Sequence, residues 1–70
     1  MLVKRGEYLY RKGKWYGVVC ADEDCFVIGK ARYNKREQCR VISYKKLQAY
    51  SNDETVNTLE ELNFIKEETD

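Results

Sequence analysis

The stretch Glu7-Tyr8-Leu9-Tyr10-Arg11-Lys12-Gly13-Lys14-Trp15-Tyr16-Gly17-Val18-Val19-Cys20 decides the fold class. Its apolar residues are aromatic or β-branched, the types that suit a pleated, half-buried surface. They form two runs separated by Lys12-Gly13, and Gly13 takes the positive φ of a tight turn without steric cost. Read as a two-residue turn, Lys12-Gly13 sets Tyr10 opposite Trp15 and makes this stretch an antiparallel hairpin.

The pattern continues on the C-terminal side. Asp22-Glu23-Asp24 reads as the next turn, because short acidic side chains hydrogen-bond to their own backbone. It leads into Cys25-Phe26-Val27-Ile28-Gly29-Lys30-Ala31-Arg32-Tyr33, a strand long enough to serve two sheet halves. Gly29, in its middle, is a candidate for a bulge or sharp bend. Alternation puts Phe26, Ile28, Lys30 and Arg32 on one face and Val27, Gly29, Ala31 and Tyr33 on the other.

Residues 34–38 then form a charged loop, and Cys39-Arg40-Val41-Ile42-Ser43 a further strand. Leu47, three residues after Tyr44, suits a single helical turn before a short last strand at Ala49-Tyr50. Four to five strands between residues 7 and 50 outline a mainly β chain, expected to be a small SH3-like antiparallel barrel.

Past residue 51 the pattern becomes helical. Thr58-Leu59-Glu60-Glu61 matches a capping box, with Leu59, Leu62 and Ile65 on one helical face, and a C-terminal helix is expected near 58–68. So short a helix is marginal alone in water and needs the barrel or a partner to cover its apolar face.

The chain has 70 residues, 43% hydrophobic and 36% charged, with no proline. That composition suits one soluble domain, 1–70, rather than a disordered or membrane-embedded chain. No apolar run approaches the ~20 residues a bilayer span needs, and the first residues lack the apolar core of a signal peptide, so a cytoplasmic protein without a membrane partner is expected.

Histidine is absent, removing the commonest general base and metal ligand together. No catalytic residue is expected. Cys20 and Cys25 with Cys39 offer at best one C-x4-C pair, so reduced, inert thiols are favoured over a metal site. Glycines at 6, 13, 17 and 29 cannot assemble a phosphate-binding loop, and no cofactor is expected.

The formal charge of +1 conceals a division. Residues 1–50 hold twelve Lys/Arg against five Asp/Glu, whereas residues 51–70 hold one Lys against seven acidic residues. Tyrosine beside Lys and Arg supplies the ingredients of a single-stranded nucleic-acid groove. The expected reading is a non-catalytic module contacting nucleic-acid phosphates through Arg11, Lys12, Lys14, Lys30, Arg32, Lys35, Arg36 and Arg40. Tyr8, Tyr10, Tyr16 and Tyr33 are the stacking candidates, and Trp15 is assigned to the core.

A bend at Gly29 would swing Lys30 and Arg32 outward to meet Arg40. The competing structural reading has the aromatics filling a small core and the lysines guarding sheet edges. The competing functional reading is a protein-interaction or phage-type inhibitor module acting through the acidic helix or an SH3-like surface. A chain this small also gains stability from self-association, so a homo-oligomer is compatible with the sequence.

Overall fold

Lys12 and Gly13 adopt φ of 50° and 78°, the positive pair a two-residue hairpin turn demands. They join β1 (Tyr8–Arg11) to β2 (Lys14–Ala21), and the register sets Tyr10 against Trp15 as expected. In this computed structural model residues 1–56 and 58–67 are described. The further elements are β3 (Cys25–Asn34), β4 (Cys39–Ile42), β5 (Gln48–Ser51), a four-residue helix α1 (Thr58–Glu61) and β6 (Ile65–Lys66).

The strands form one antiparallel sheet in the order β4-β3-β2-β1-β6, with β5 also paired to β3. β3 does serve two halves: Cys25–Ile28 pair with β5 and Ala31–Asn34 with β4. Gly29 is the residue of handover. A Cβ there would collide with the Ser43 carbonyl oxygen and lie 3.0 Å from Ile42 Cγ2 and 3.2 Å from Leu47 Cδ2. The register irregularity lies instead in β2, between Val18 and Cys20. The sheet is not closed among the described residues, since its path ends at β4 and β6.

Residues directly opposed in an antiparallel pair share a face. One face carries Leu9, Tyr16, Val18 and Ile28, which with Val3, Phe26 and Phe64 make the core. At 0% exposed, Val3 is fixed by Asn52, itself 1% exposed. The Asn52 Oδ1 accepts the Val3 amide at 2.9 Å, and its Nδ2 donates to the carbonyls of Val3 at 3.2 Å and Asp22 at 2.8 Å. One side chain thus ties the N-terminal segment, the β2–β3 turn and the end of β5 together.

Two sequence-based expectations are corrected. No helical turn forms at residues 44–47, which approach β5 through a bend. The C-terminal helix stops at Glu61 rather than running toward 68, because Asn63 takes a left-handed φ of 62°. The Asn63 amide donates to Glu60 O at 3.2 Å and the Phe64 amide to Leu59 O at 2.8 Å, the paired bonds of a Schellman cap. The buried Thr58 hydroxyl finds no hydrogen-bond partner among the described residues, so the capping bond read from the sequence is not made. Residue 68, the last of the expected helix, lies outside the described residues.

The cap turns Phe64 into the core, where its ring meets Tyr16 edge-on at 6.1 Å and Tyr50 at 5.4 Å. The chain then pairs as β6 with β1. The C-terminal segment is therefore docked on the sheet. Ion pairs Arg40–Glu67, Lys66–Glu7 and the N-terminal ammonium with Glu54 join the basic and acidic parts of the chain.

Candidate functional site

The antiparallel meander sorts charge by end. The β1–β2 turn with Lys12 and Lys14 and the β3–β4 turn with Lys35 and Arg36 lie at one end of the strands. The β2–β3 turn with Asp22, Glu23 and Asp24 lies at the other, where Asp53 and Glu54 follow β5. Glu37 is an acidic exception at the basic end. The charge division of the sequence thus becomes, in part, a polarity along the strands; Lys4 and Arg5, beside the Val3 that Asn52 ties to the acidic end, are basic exceptions, and three ion pairs join some of the remaining charges.

At the acidic end Asp22 builds the turn. Its Oδ1 accepts the amides of Asp24 and Cys25, both at 2.8 Å. Those backbone bonds hold its carboxyl below the ordinary carboxylate range. The Asp22 charge, aided by partial burial, in turn pushes the Cys25 thiol up. Among the described residues no group of three or more Cys, Asp or Glu side chains is placed to hold a metal ion.

Between the second half of β3, β4 and the segment leading to β5 lies a cavity of about 530 Å³. Its walls include Lys30, Arg32, Val41, Ser43, Tyr44 and Lys45, and none of the described lining residues is acidic. Lys30 opposes Tyr16 and Arg32 opposes Val41, so both cations project from the core-side face, beyond the apolar residues. Lys14 shares that face, two residues before Tyr16. Tyr44 stands at the rim, 70% exposed.

Three cations around an open groove favour an anion through Coulomb attraction. The exposed ring adds a surface on which a planar group can stack.

Of the site residues read from the sequence, Lys30 and Arg32 are brought together in this groove. Lys12, Lys14, Lys35 and Arg36 are exposed on or beside the two hairpin turns. Tyr33 is exposed, Tyr8 and Tyr10 are half-buried, and Tyr10 packs on Trp15 at 5.0 Å.

Four placements correct the reading. Tyr16 is 7% exposed and held in the core, so its ring is not free to stack on a base. Arg11 lies over the Phe64 ring, 4.2 Å from its centroid, and serves the docked segment. Arg40 does not join Lys30 and Arg32, because it opposes Tyr33 on the other face. There it chelates Glu67 with both guanidinium nitrogens and lies 4.6 Å and 4.9 Å from the ring centroids of Tyr8 and Trp15. Trp15, assigned to the core, is half-buried on that same face.

The groove residues missed from the sequence are Ser43, Tyr44 and Lys45. Their signal was present in Tyr44-Lys45-Lys46, an aromatic followed by two cations. Treating that segment as a helical turn hid its resemblance to the other basic stretches.

No family model, no curated protein and no solved structure matches the chain. Among the described residues no helix is long and apolar enough to cross a membrane.

Proposed function

We propose that the chain is a non-catalytic binding module that takes nucleic-acid phosphates in the groove formed by Lys30, Arg32 and Lys45. The observation that carries the reading is the groove itself: three cations, no acidic residue among the described lining, and Tyr44 exposed at its rim. Arginine provides a planar fork that fits phosphate oxygens, and the lysines act as point charges. Lys12, Lys14, Lys35 and Arg36 extend the positive field at the same end of the sheet and steer a polyanion toward it.

The same reading takes the sheet as an opened SH3-like barrel, with β3 shared between two halves that meet at Gly29. The protein-interaction alternative draws less support. Leu59 of the acidic helix and Leu62 just after it pack against the chain's own core rather than standing free for a partner's groove.

Counterion release gives the test its magnitude. Three phosphates neutralised on a single strand give a slope of about −2 in log affinity against log salt, so a fourfold rise in salt weakens binding about 20-fold. Fluorescence anisotropy with a labelled single-stranded oligonucleotide measures this. Lys30→Ala should shallow the slope by about 0.7. Binding that ignores salt, or an unchanged slope in a folded Lys30→Ala variant, refutes the reading.

A further inference from the structure

Trp15 leads to a second cavity. On the face opposite the core, a hollow of about 280 Å³ is lined by Trp15, Ala31, Arg32, Tyr33 and Arg40. It shares Ala31 and Arg32 with the basic groove, so the two cavities lie back to back on opposite faces of the second half of β3.

Their chemistry differs. The groove offers three cations that make no ion pair among the described residues, whereas the hollow offers two aromatic rings and the Arg40 guanidinium. Tyr33 is 61% exposed. Arg40 is already neutralised and oriented by Glu67, and its position over Trp15 and Tyr8 fixes the guanidinium before any ligand arrives. Aromatic rings and arginine planes are the surfaces on which unpaired nucleobases stack. The volume falls just below the ~300–1,000 Å³ of clefts for drug-sized ligands, a scale suited to one planar base.

Resting on the reading of the groove as a phosphate site, the geometry points to a single-stranded ligand. One nucleobase enters the hollow between Trp15, Tyr33 and Arg40, and the strand passes round the end of the sheet at the β3–β4 turn, so that phosphates further along it reach Lys30, Arg32 and Lys45 on the other face. A base within a duplex has both faces covered by its neighbours and cannot enter.

Trp15 is the chain's single tryptophan, so its fluorescence reports on this hollow alone. The full chain is titrated at low salt with three probes: a short single-stranded oligodeoxyadenylate, a blunt two-stranded duplex without a loop, and inorganic tripolyphosphate, which carries charge but no base. Binding is followed independently by calorimetry. The expected result is that all three bind, that only the single strand quenches Trp15, and that Lys30→Ala weakens all three.

Tyr33→Ala, at an exposed position and checked for fold by its amide spectrum, should weaken the single strand about 5- to 150-fold, the range of one stacked base. Its tripolyphosphate affinity should not change. Equal quenching by the duplex or by tripolyphosphate, or unchanged single-strand affinity in folded Tyr33→Ala, overturns the base site while leaving the phosphate groove standing. Failure of all three probes to bind overturns the groove and the base site together.

Discussion

Replacing Asn52 by alanine should bring the domain close to unfolding. Asn52 is 1% exposed and makes three hydrogen bonds, two of them to the backbone of Val3, which is itself 0% exposed. The third, to the Asp22 carbonyl, lies at a turn that water can reach once the side chain is gone. Truncation therefore strands two buried groups, each costing about 1–3 kcal/mol.

The loss is about 4 kcal/mol, against a total of about 3.5–10 kcal/mol for a chain of this length. In urea, with a slope near ~1 kcal/mol/M, the midpoint should fall by about 4 M or the folded baseline should vanish. Asn52→Asp keeps the acceptor for the Val3 amide but turns an ionised oxygen toward two carbonyls. It should be at least as damaging at neutral pH and recover partly in acid, where the carboxyl can donate. An alanine variant whose midpoint stays within about 0.5 M of the parent, with the slope unchanged, refutes the clamp.

Three further outcomes follow from the packing. Phe64→Ala, at a position 6% exposed in the core, should cost about 3–5 kcal/mol in urea unfolding, whereas Ile65→Ser, 65% exposed, should stay within about 0.5 kcal/mol. Equal effects would mean the C-terminal segment is not docked.

Gly29→Ala should cost about 1–3 kcal/mol or more, because its Cβ meets a backbone carbonyl. Gly17→Ala should cost less, because its Cβ meets the side chain of Ile42 (Cγ1 at 2.7 Å), which can rotate away. Reversal of that order in thermal melts would contradict the handover geometry.

The hydrogen bonds and charge of Arg40 hold the Glu67 carboxyl below its ordinary 4.5, with partial burial opposing them. Its folded value lies below its unfolded one, so its stabilisation is present above 4.5 and is lost as pH falls through the lowered folded value. The stability gap between parent and Glu67→Gln should therefore be open at neutral pH and close on the acid side of 4.5 in a pH series of urea midpoints. A gap independent of pH would show that the charge of Glu67 contributes nothing.

The strand plan was legible because its signals are local. Lys12-Gly13 admits few turns, and a two-residue turn fixes the Tyr10–Trp15 pairing without any tertiary information. The length of Cys25–Asn34, with one glycine inside it, announced a strand with two partners, as observed.

What failed depends on contacts distant in sequence. The helix at Thr58 was extended because Leu62 and Ile65 keep helical spacing. Asn63 ends it, since asparagine tolerates the left-handed conformation and Phe64 gains a core position by turning there. Alternation placed Lys30 and Arg32 together. It could not show that Arg40 is taken by Glu67, 27 residues away, nor that Tyr44 and Lys45 complete the groove. Trp15 was drawn into the core by hydrophobicity alone, whereas its register opposite Ala31 sets it on the other face.

The most direct test of the central claim is an amide NMR titration of the labelled chain with a short single-stranded oligonucleotide at low and near-physiological salt. The account predicts shifts concentrated at residues 30–33 and 41–45, shrinking as salt rises, with the acidic end around residues 22–24 and 52–54 undisturbed. No shifts at either salt, or shifts confined to the acidic end, would contradict it.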